Sequence, residues 1–277
     1  IRFAGPVPAS DQPDQLDLPA LVPELIVRPG GSNSRGDGLS GIRGRAGMRY
    51  LDLLPSRLGG RYIASWIEVA DGGPLADWVH HHAIRFQMIH CHRGWVKVVY
   101  EDQGEPFVMH AGDGVLQPPG IRHRVLESSA GAAVVEVGCP AEHDTISDHE
   151  LTLPTGRIDP ERRFGGQRFV RYEGSDPTSG WLGEGWRQRD TGIEAATDGL
   201  AHVVVVSATG ASGDLLVPAH SAELLFGFVL GGSVDFACDE RAPIAIEEGG
   251  SWSIPAGLEW RLADRSPDLA FLLVQVG

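Results

Sequence analysis

The sequence predicts an all-β protein built from two similar halves. From Tyr62 onward, short apolar or alternating runs rich in β-branched and aromatic residues recur at strand length. Gly and Pro contribute 37 and 19 of the 277 residues, which favours many short strands joined by turns over long helices. The clearest strand candidates are Y-I-A-S-W-I-E-V, W-V-K-V-V-Y, A-A-V-V-E-V, H-V-V-V-V-S, L-L-F-G-F-V-L and F-L-L-V-Q-V.

An internal repeat supports the division into halves. A shift of 138 residues places His82 on His220 and Gly94 on Gly232. A shift of 137 residues aligns a second block, in which Gly112, Pro118, Gly120 and His123 fall on Gly249, Pro255, Gly257 and Trp260. A hairpin one residue shorter in the second half would produce this change of offset, so we expect two tandem β modules.

The chain divides into four predicted segments. Residues 1–45 are rich in Pro, Gly, Ser and Asp and predict an N-terminal extended arm. Residues 46–148 form the first module, 149–164 a linker, and 165–277 the second module.

Composition and charge exclude several classes of partner. The formal net charge of −14 and the pI of about 5.1 oppose binding to phosphate backbones, so no nucleic-acid partner is expected. No apolar run approaches the roughly 18 residues of a membrane span. Cys91, Cys139 and Cys238 form no paired framework, which is typical of free thiols in a reducing, cytoplasmic location.

Five of the eleven histidines lie between residues 78 and 92. Because side chains alternate along a strand, His80 and His82 share a face while His81 points away. The stretch G-D-G-V-L-Q-P-P-G-I-R-H places His123 after a turn, where a strand pairing near the first could supply another ligand. A bend is expected between His82 and Gln87, and if Gln87 faces inward beyond it, parity turns His90 and His92 outward, toward the surface or a contact between modules.

Two spacings resemble the paired motifs of the cupin family. The first is H-x-H-x4-Q-x6-G at His80, His82, Gln87 and Gly94, and the second is G-x5-P-x-G-x2-H at Gly112, Pro118, Gly120 and His123. The chain departs from the family pattern in carrying Gln87 where Glu is usual, Gly73 one position too far back, and Glu127 where Asn is frequent. The resemblance implies two tandem double-stranded β-helix (jelly-roll) barrels, the arrangement called a bicupin.

The resemblance also implies a metal site in the first barrel. Its ligands would be His80, His82, Gln87 and His123, holding one divalent ion per chain. Family habit favours Fe(II), and imidazole with oxygen donors also suits Ni(II), Mn(II), Cu(II) or Zn(II). The alternative is that inward histidines only satisfy buried polar groups.

The second module lacks these ligands. Pro218, Leu225 and Trp260 stand in place of His80, Gln87 and His123, and a single histidine, His220, is not a metal site. We expect a degenerate barrel that buries a sheet face or shapes a homodimer. An apolar ligand pocket around Leu225 and Trp260 is the alternative.

Three functions follow from the resemblance. The favoured one is an Fe(II) dioxygenase, similar to quercetin and gentisate dioxygenases, acting on a small aromatic or diketone substrate that chelates the metal. Its apolar pocket would be lined by Ile89, Cys91, Ile121 and Val125, with Glu127 as general base or as a surface carboxylate. The alternatives are a non-oxidative metal-dependent isomerase, lyase or hydrolase, and a non-enzymatic small-molecule binder or sensor.

Overall fold

The computed structural model describes residues 2–3, 16–31, 47–177, 180–210 and 213–277. The predicted N-terminal arm falls largely outside these residues. The described residues form two compact units, the first containing those up to 20 and from 47 to 175, and the second those from 21 to 31 and from 176 to 277. No helix within the described ranges has the length and apolar character that crossing a membrane requires.

The first unit consists of two sheets and a small hairpin, with all strand pairs antiparallel except the parallel pair β1–β13. One sheet has the strand order β1-β13-β6-β11-β8-β9, with β5 also paired to β11, and the other has the order β16-β10-β7-β12-β4-β3. The hairpin β14–β15 and one 3-10 turn, Arg57–Gly60, complete this unit. Its strands are β1 (Arg2–Phe3), β3 (Arg49–Asp52), β4 (Ile63–Val69), β5 (Gly73–Pro74), β6 (His80–His82), β7 (Phe86–Arg93), β8 (Trp95–Tyr100), β9 (Phe107–His110), β10 (Gly114–Leu116), β11 (His123–Ser128), β12 (Ala132–Cys139), β13 (Thr145–Ser147), β14 (Arg163–Phe164), β15 (Gln167–Arg168) and β16 (Val170–Tyr172).

The second unit repeats this plan. Its larger sheet has the order β17-β18-β19-β26-β21-β24-β2, and its smaller sheet the order β20-β25-β22-β23. A short helix, α1 (Ile193–Ala196), precedes β19. The strands are β2 (Ile26–Arg28), β17 (Gly180–Gly183), β18 (Trp186–Asp190), β19 (Ala201–Ala208), β20 (Leu215–Val217), β21 (Leu224–Gly231), β22 (Ser233–Cys238), β23 (Ile244–Glu247), β24 (Ser251–Ile254), β25 (Trp260–Ala263) and β26 (Ala270–Val276).

The two units share one strand order. The path β6-β11-β8-β9 corresponds to β20-β25-β22-β23, and β10-β7-β12-β4 corresponds to β24-β21-β26-β19. The connection after β8 spans residues 101–106, whereas the equivalent connection after β22 spans 239–243 and is one residue shorter. The all-β prediction is confirmed, and the change of repeat offset arises at this turn.

Two predicted segment limits differ from the structure. The strand β16, predicted to belong to the second module, pairs with β10 and therefore belongs to the first unit. In the predicted arm, Ile26–Arg28 pairs with β24 of the second unit and Arg2–Phe3 with β13 of the first. Edge strands of two or three residues carry too little alternation for a sequence pattern to reveal them.

Aromatic side chains pack together in part of the second barrel's interior. Trp252 lies directly over Gly227, where an added Cβ would come within 2.1 Å of the indole ring. Phe236 stacks on Trp252 with the ring centroids 5.6 Å apart, and Trp260 lies 5.9 Å from Trp252. In the first unit, the positions equivalent to Gly227, Phe236 and Trp252 are Ile89, Val98 and Val115, so aliphatic side chains stand where the second unit has this aromatic stack.

Candidate metal centre

Two neighbouring strands bring three histidines to one face. His80 pairs directly with His123 across β6 and β11, and His82 lies two residues from His80 on the same side of β6. Gly120, with φ at +77°, closes the turn before β11 and donates its N–H to the His82 carbonyl at 3.2 Å. The potential ligand atoms of His80, His82 and His123 all lie within 4.8 Å of one another.

A hydrogen bond at Nδ1 orients each of the three rings. The Nδ1 atom of His80 lies 2.7 Å from the Trp78 carbonyl, and that of His123 lies 3.1 Å from the Ile121 carbonyl. The Nδ1 atom of His82 lies 3.1 Å from the Thr145 hydroxyl. A carbonyl can only accept, so the proton belongs on Nδ1 of His80 and His123 and the lone pair on Nε2. This arrangement is typical of histidines that bind a metal through Nε2, so the three rings fit a divalent ion.

A buried carboxylate lies next to the histidine group. Asp77 is 6% exposed, and its Oδ1 lies 3.9 Å from the Nδ1 of His80. Its Oδ2 accepts a hydrogen bond from the Val125 backbone N–H at 3.0 Å. Asp77 therefore ties the loop before β6 to β11 and places negative charge beside the His80 ring.

Gln87 belongs to a chain of polar side chains. The Tyr100 hydroxyl donates to Oε1 of Gln117 at 2.6 Å, and Nε2 of Gln117 donates to Oε1 of Gln87 at 2.9 Å. Nε2 of Gln87 then donates to the Glu136 carboxylate at 2.5 Å. An ionised carboxylate only accepts, so Glu136 fixes which way the Gln87 amide points.

Tyr100 begins this chain as a neutral donor. The residue is 2% exposed, and burial raises the pKa of its hydroxyl far above its usual value. Its ring lies 5.5 Å from that of His123 in a stacked arrangement. The hydroxyl therefore keeps its proton and holds the Gln117 amide in one orientation.

The polar chain and two of the histidines line one cavity of about 370 Å³, within the range of roughly 300–1,000 Å³ that is usual for small-molecule sites. Its polar wall contains His82, Gln87, Tyr100, Gln117, His123, Glu136, His143 and Thr145. The rest of the lining is largely apolar and comprises Met48, Tyr50, Ile63, Ile67, Val69, Trp78, Ile89, Val96, Val98, Met109, Val125, Ala132 and Val134. The cavity therefore offers an apolar space with its hydrogen-bonding groups gathered on part of the wall.

Proteins of known structure share this architecture. Neither a family model nor a curated protein matches the chain. Among solved structures, similarity extends over 99% of this chain and 94% of a putative glyoxylate-induced protein from Pseudomonas aeruginosa, with TM-score 0.64 and 14% identity. Salicylate 1,2-dioxygenase from Pseudaminobacter salicylatoxidans matches over 95% of this chain and 87% of its own, with TM-score 0.65 and 12% identity. A mutant of oxalate decarboxylase from Bacillus subtilis matches over 98% and 80%, with TM-score 0.60 and 11% identity.

The fold is that of a bicupin. The resemblance drawn from the two motif spacings is thereby confirmed for the fold, across nearly the whole chain. The histidine group lies in the first barrel, on the strands that carry the two motifs.

Of the four predicted pocket residues, two line the cavity and two do not. Ile89 and Val125 line the cavity. Cys91 and Ile121 do not line it but lie in the adjacent packed core with Val115 and Phe164. Alternation along β7 does turn Cys91 inward. Other core side chains pack around it there, so it does not border the cavity.

Glu127 does not reach the cavity, which corrects its predicted role as general base. Val125 pairs with Val98, whereas Glu127 pairs with Lys97, so the register shifts by one residue at Leu126. This β-bulge reverses the alternation, and Glu127 shares the face of Lys97 rather than that of Val98. The sequence prediction assumed an unbroken strand.

The remaining histidines of the cluster face away from the cavity, but His90 is not on the surface. It is fully buried, and its Nδ1 lies 2.9 Å from the hydroxyl of Tyr172 on β16. The contact predicted between modules therefore lies within the first unit. The Nδ1 of His92 lies 3.2 Å from the indole Nε1 of Trp66, which donates to it. His81 does not line the cavity.

Glu136, Tyr100 and His143 line the cavity, although the sequence analysis did not identify them as site residues. Glu136 interrupts the apolar run of β12, and an acidic residue inside such a run is a signal that could have identified it. Tyr100 pairs with His123 across β8 and β11. The His143 ring lies 5.1 Å from that of His82, on a loop that carries no motif.

In the second barrel, side chains that do not bind metals occupy most of the positions equivalent to the proposed ligands. Trp260 pairs with Val217, as His123 pairs with His80, so Val217 rather than the predicted Pro218 corresponds to His80. The Gly257 N–H bonds to the His220 carbonyl, as that of Gly120 bonds to His82, so His220 does correspond to His82. Its Nε2 lies 3.0 Å from the Ile254 carbonyl.

Proposed function

We propose that the first barrel is the active site of a metal-dependent enzyme. His80, His82 and His123 would hold one divalent ion through their Nε2 atoms, with the Gln87 amide oxygen as a fourth, weaker ligand. The observation that carries this proposal is the group of three histidines, two of which line the cavity, each with Nδ1 engaged by a neighbouring group.

The favoured activity is that of an Fe(II) dioxygenase. The cavity is small and largely apolar, which suits a flat aromatic or enol-type molecule with two neighbouring oxygen atoms. A divalent ion in this position would polarise the substrate oxygens that bind to it. Salicylate 1,2-dioxygenase has the same fold, and a chelating aromatic is the class of substrate that its name describes.

The side chains of the cavity would orient such a substrate. The apolar wall, including Ile89 and Val125, would hold the ring by packing and exclude water from it. Glu136 would accept a hydrogen bond from a substrate hydroxyl while retaining its bond to Gln87. The proton of the Tyr100 hydroxyl stays in place, since burial raises its pKa.

Oxygen consumption tests this function. Protein loaded with Fe(II) is mixed with catechol or acetylacetone, which can chelate, and with 1,2-dimethoxybenzene, which matches catechol in shape but cannot. We expect the protein to consume oxygen only when the added compound can chelate the metal. We expect the His82→Ala variant to lose this oxygen consumption. Equal uptake with the dimethoxy compound, or unchanged uptake in His82→Ala, would contradict the proposal.

A second candidate is a non-oxidative isomerase or lyase at the same centre. The sequence offered no evident proton-transfer residue for it, but Glu136 and His143 both line the cavity. Turnover of a chelating hydroxyketone, such as dihydroxyacetone, without oxygen would favour this candidate over the dioxygenase.

A further inference from the structure

The cavity of the first barrel contains one carboxylate and no basic side chain of the Lys or Arg type. Of the described residues that line it, Glu136 alone is acidic, and none is Lys or Arg. A carboxylate beside a largely apolar space has lost part of its hydration, and an opposite charge would offset that loss. The ion proposed for this barrel would not supply it, because two phenolate or enolate oxygens of a chelating substrate would offset the double charge of the ion.

The free oxygen of Glu136 is accessible from the cavity. Ala132, Val134 and Glu136 all line the cavity, at every second position of β12, so Glu136 lies on its inward face. Its Oε1 accepts the hydrogen bond from the Gln87 amide at 2.5 Å. Its Oε2 accepts no hydrogen bond within the described ranges and is not one of the side-chain atoms that the protein encloses. A ligand in the cavity can therefore contact Oε2.

The charge of the whole chain acts in the same direction. The formal net charge is −14, so the surrounding field attracts cations and repels anions. Salt screens this field, whereas the carboxylate within the cavity is screened much less. Both the local and the overall charge therefore favour a positively charged ligand over a negatively charged one.

We propose that the first barrel selects an organic cation, an ammonium group on a flat apolar body. The ammonium N–H would donate to Oε2 of Glu136. The body would pack against Val134 and against Ile89, which pairs with Glu136 across β12 and β7. A carboxylate at the same point of the ligand would place two negative charges together. That the cation belongs to the substrate rests on the proposed function, whereas the preference of the cavity for a cation does not.

Three ligands of matched size test this preference: 2-phenylethylamine, 2-phenylethanol and phenylacetate. Each is titrated into the full-length, metal-free protein by calorimetry at about pH 8, where an alkyl ammonium keeps its proton and imidazole is ordinarily neutral. We expect the amine to bind about tenfold more tightly than the alcohol, and phenylacetate to bind most weakly.

Two charge-removing variants locate the origin of the preference. Glu136→Gln keeps the size of the side chain and an acceptor for Gln87 but removes the charge, so it should bind the amine and the alcohol about equally. Glu127→Gln is the matched control, because Glu127 does not line the cavity, and it should keep the preference. The ligand series on the unmodified protein tests the inference even if Glu136→Gln fails to fold.

A second experiment separates this inference from the proposed function. Zn(II)-loaded protein is titrated without oxygen with 4-(2-aminoethyl)catechol and with 3,4-dihydroxyphenylacetate, and we expect tighter binding of the amine. A protein that takes up no Zn(II) but still prefers 2-phenylethylamine would refute the proposed function and support this inference. Equal affinity of the metal-free protein for the amine and the alcohol, an unchanged preference in folded Glu136→Gln, or tighter binding of the carboxylate by either form would overturn it.

Discussion

Gln87 stands where the first cupin motif usually has Glu, and a carboxylate lies one side chain away on Glu136. The Gln87 amide donates to that carboxylate at 2.5 Å and accepts from Gln117 at 2.9 Å. The negative charge of the cavity wall is thus carried by β12 instead of β7. Because an amide and a carboxylate complement each other, residues 87 and 136 should behave as a coupled pair.

Exchanging the two groups tests this coupling. Gln87→Glu alone places two carboxylates in contact, and we expect it to lower the unfolding free energy of the metal-free protein by about 2 kcal/mol. Repulsion raises the pKa of one carboxylate in the folded state, so the loss should be small near about pH 5 and grow toward about pH 8. The double variant Gln87→Glu with Glu136→Gln restores one amide and one carboxylate and should recover most of the stability. Thermal denaturation measures the stability of the unmodified protein, of both single variants and of the double variant. If the effects of the two substitutions simply add, residues 87 and 136 are independent.

The three cysteines should be inert in the folded protein. All are buried, and burial, with Asp113 nearby, raises the pKa of the Cys91 thiol to about 12. A thiol reagent at about pH 8 should therefore label none of them within minutes, and all three after unfolding in guanidinium. Rapid labelling of native protein, located by peptide mass spectrometry, would show that a thiol is accessible.

Motif spacing was sufficient to predict the histidine group, because His80, His82 and His123 lie on regular strand segments. The same reasoning failed at Glu127. A single extra residue at Leu126 reverses the alternation beyond it, and nothing in the sequence V-L-E-S marks a bulge. Glu136 reaches the cavity from β12, a strand that carries neither motif, so its position depends on the order of strands in the sheet and not on local spacing.

At the scale of elements, β7 has two different faces. Gln87 and Ile89 face the cavity, while His90 faces Tyr172 of β16 and is completely buried. The strand β16 is short and lies at a sheet edge, and Gly114 of β10 admits its tyrosine, since a Cβ there would come within 2.2 Å of the Tyr172 hydroxyl. This contact attaches to the first barrel a segment that the sequence predicted for the second.

The pair His90 and Tyr172 should therefore support stability and not metal binding. His90→Ala removes a buried ring and its hydrogen bond to the Tyr172 hydroxyl, so we expect a loss of about 2–3 kcal/mol in unfolding free energy. Tyr172→Phe removes only the hydroxyl and should cost about 1 kcal/mol. Both variants should keep the metal content of the unmodified protein, as measured by elemental analysis. Loss of metal in His90→Ala, with the protein still folded, would show that this residue reaches the site.

At the scale of the whole molecule, two barrels with one strand order have different interiors. The first keeps aliphatic side chains at Ile89, Val98 and Val115 and retains a cavity beside its histidines. The second has Gly227, Phe236 and Trp252 at those positions, and three of its four ligand positions are occupied by Val217, Leu225 and Trp260. The repeat and its degenerate ligands were predictable from sequence. The sequence repeat aligned His80 with Pro218, whereas the structure aligns it with Val217. This shift by one residue could not be predicted, because it depends on the irregular segment before β21.

This asymmetry predicts one divalent ion per chain. Val, Leu and Trp side chains offer no lone pair that binds a metal, and the Nε2 of His220 is engaged by the Ile254 carbonyl. Protein incubated with excess Fe(II) or Zn(II) and then desalted should contain about one ion, and His82→Ala should contain almost none. His81→Ala is the matched control on the same strand, because alternation along β6 places its side chain on the face opposite His80 and His82, and His220→Ala is the control in the second barrel. Both should retain the single ion. Two ions per chain, one of them lost in His220→Ala, would mean that the second barrel is a metal site and that its assignment as degenerate is wrong.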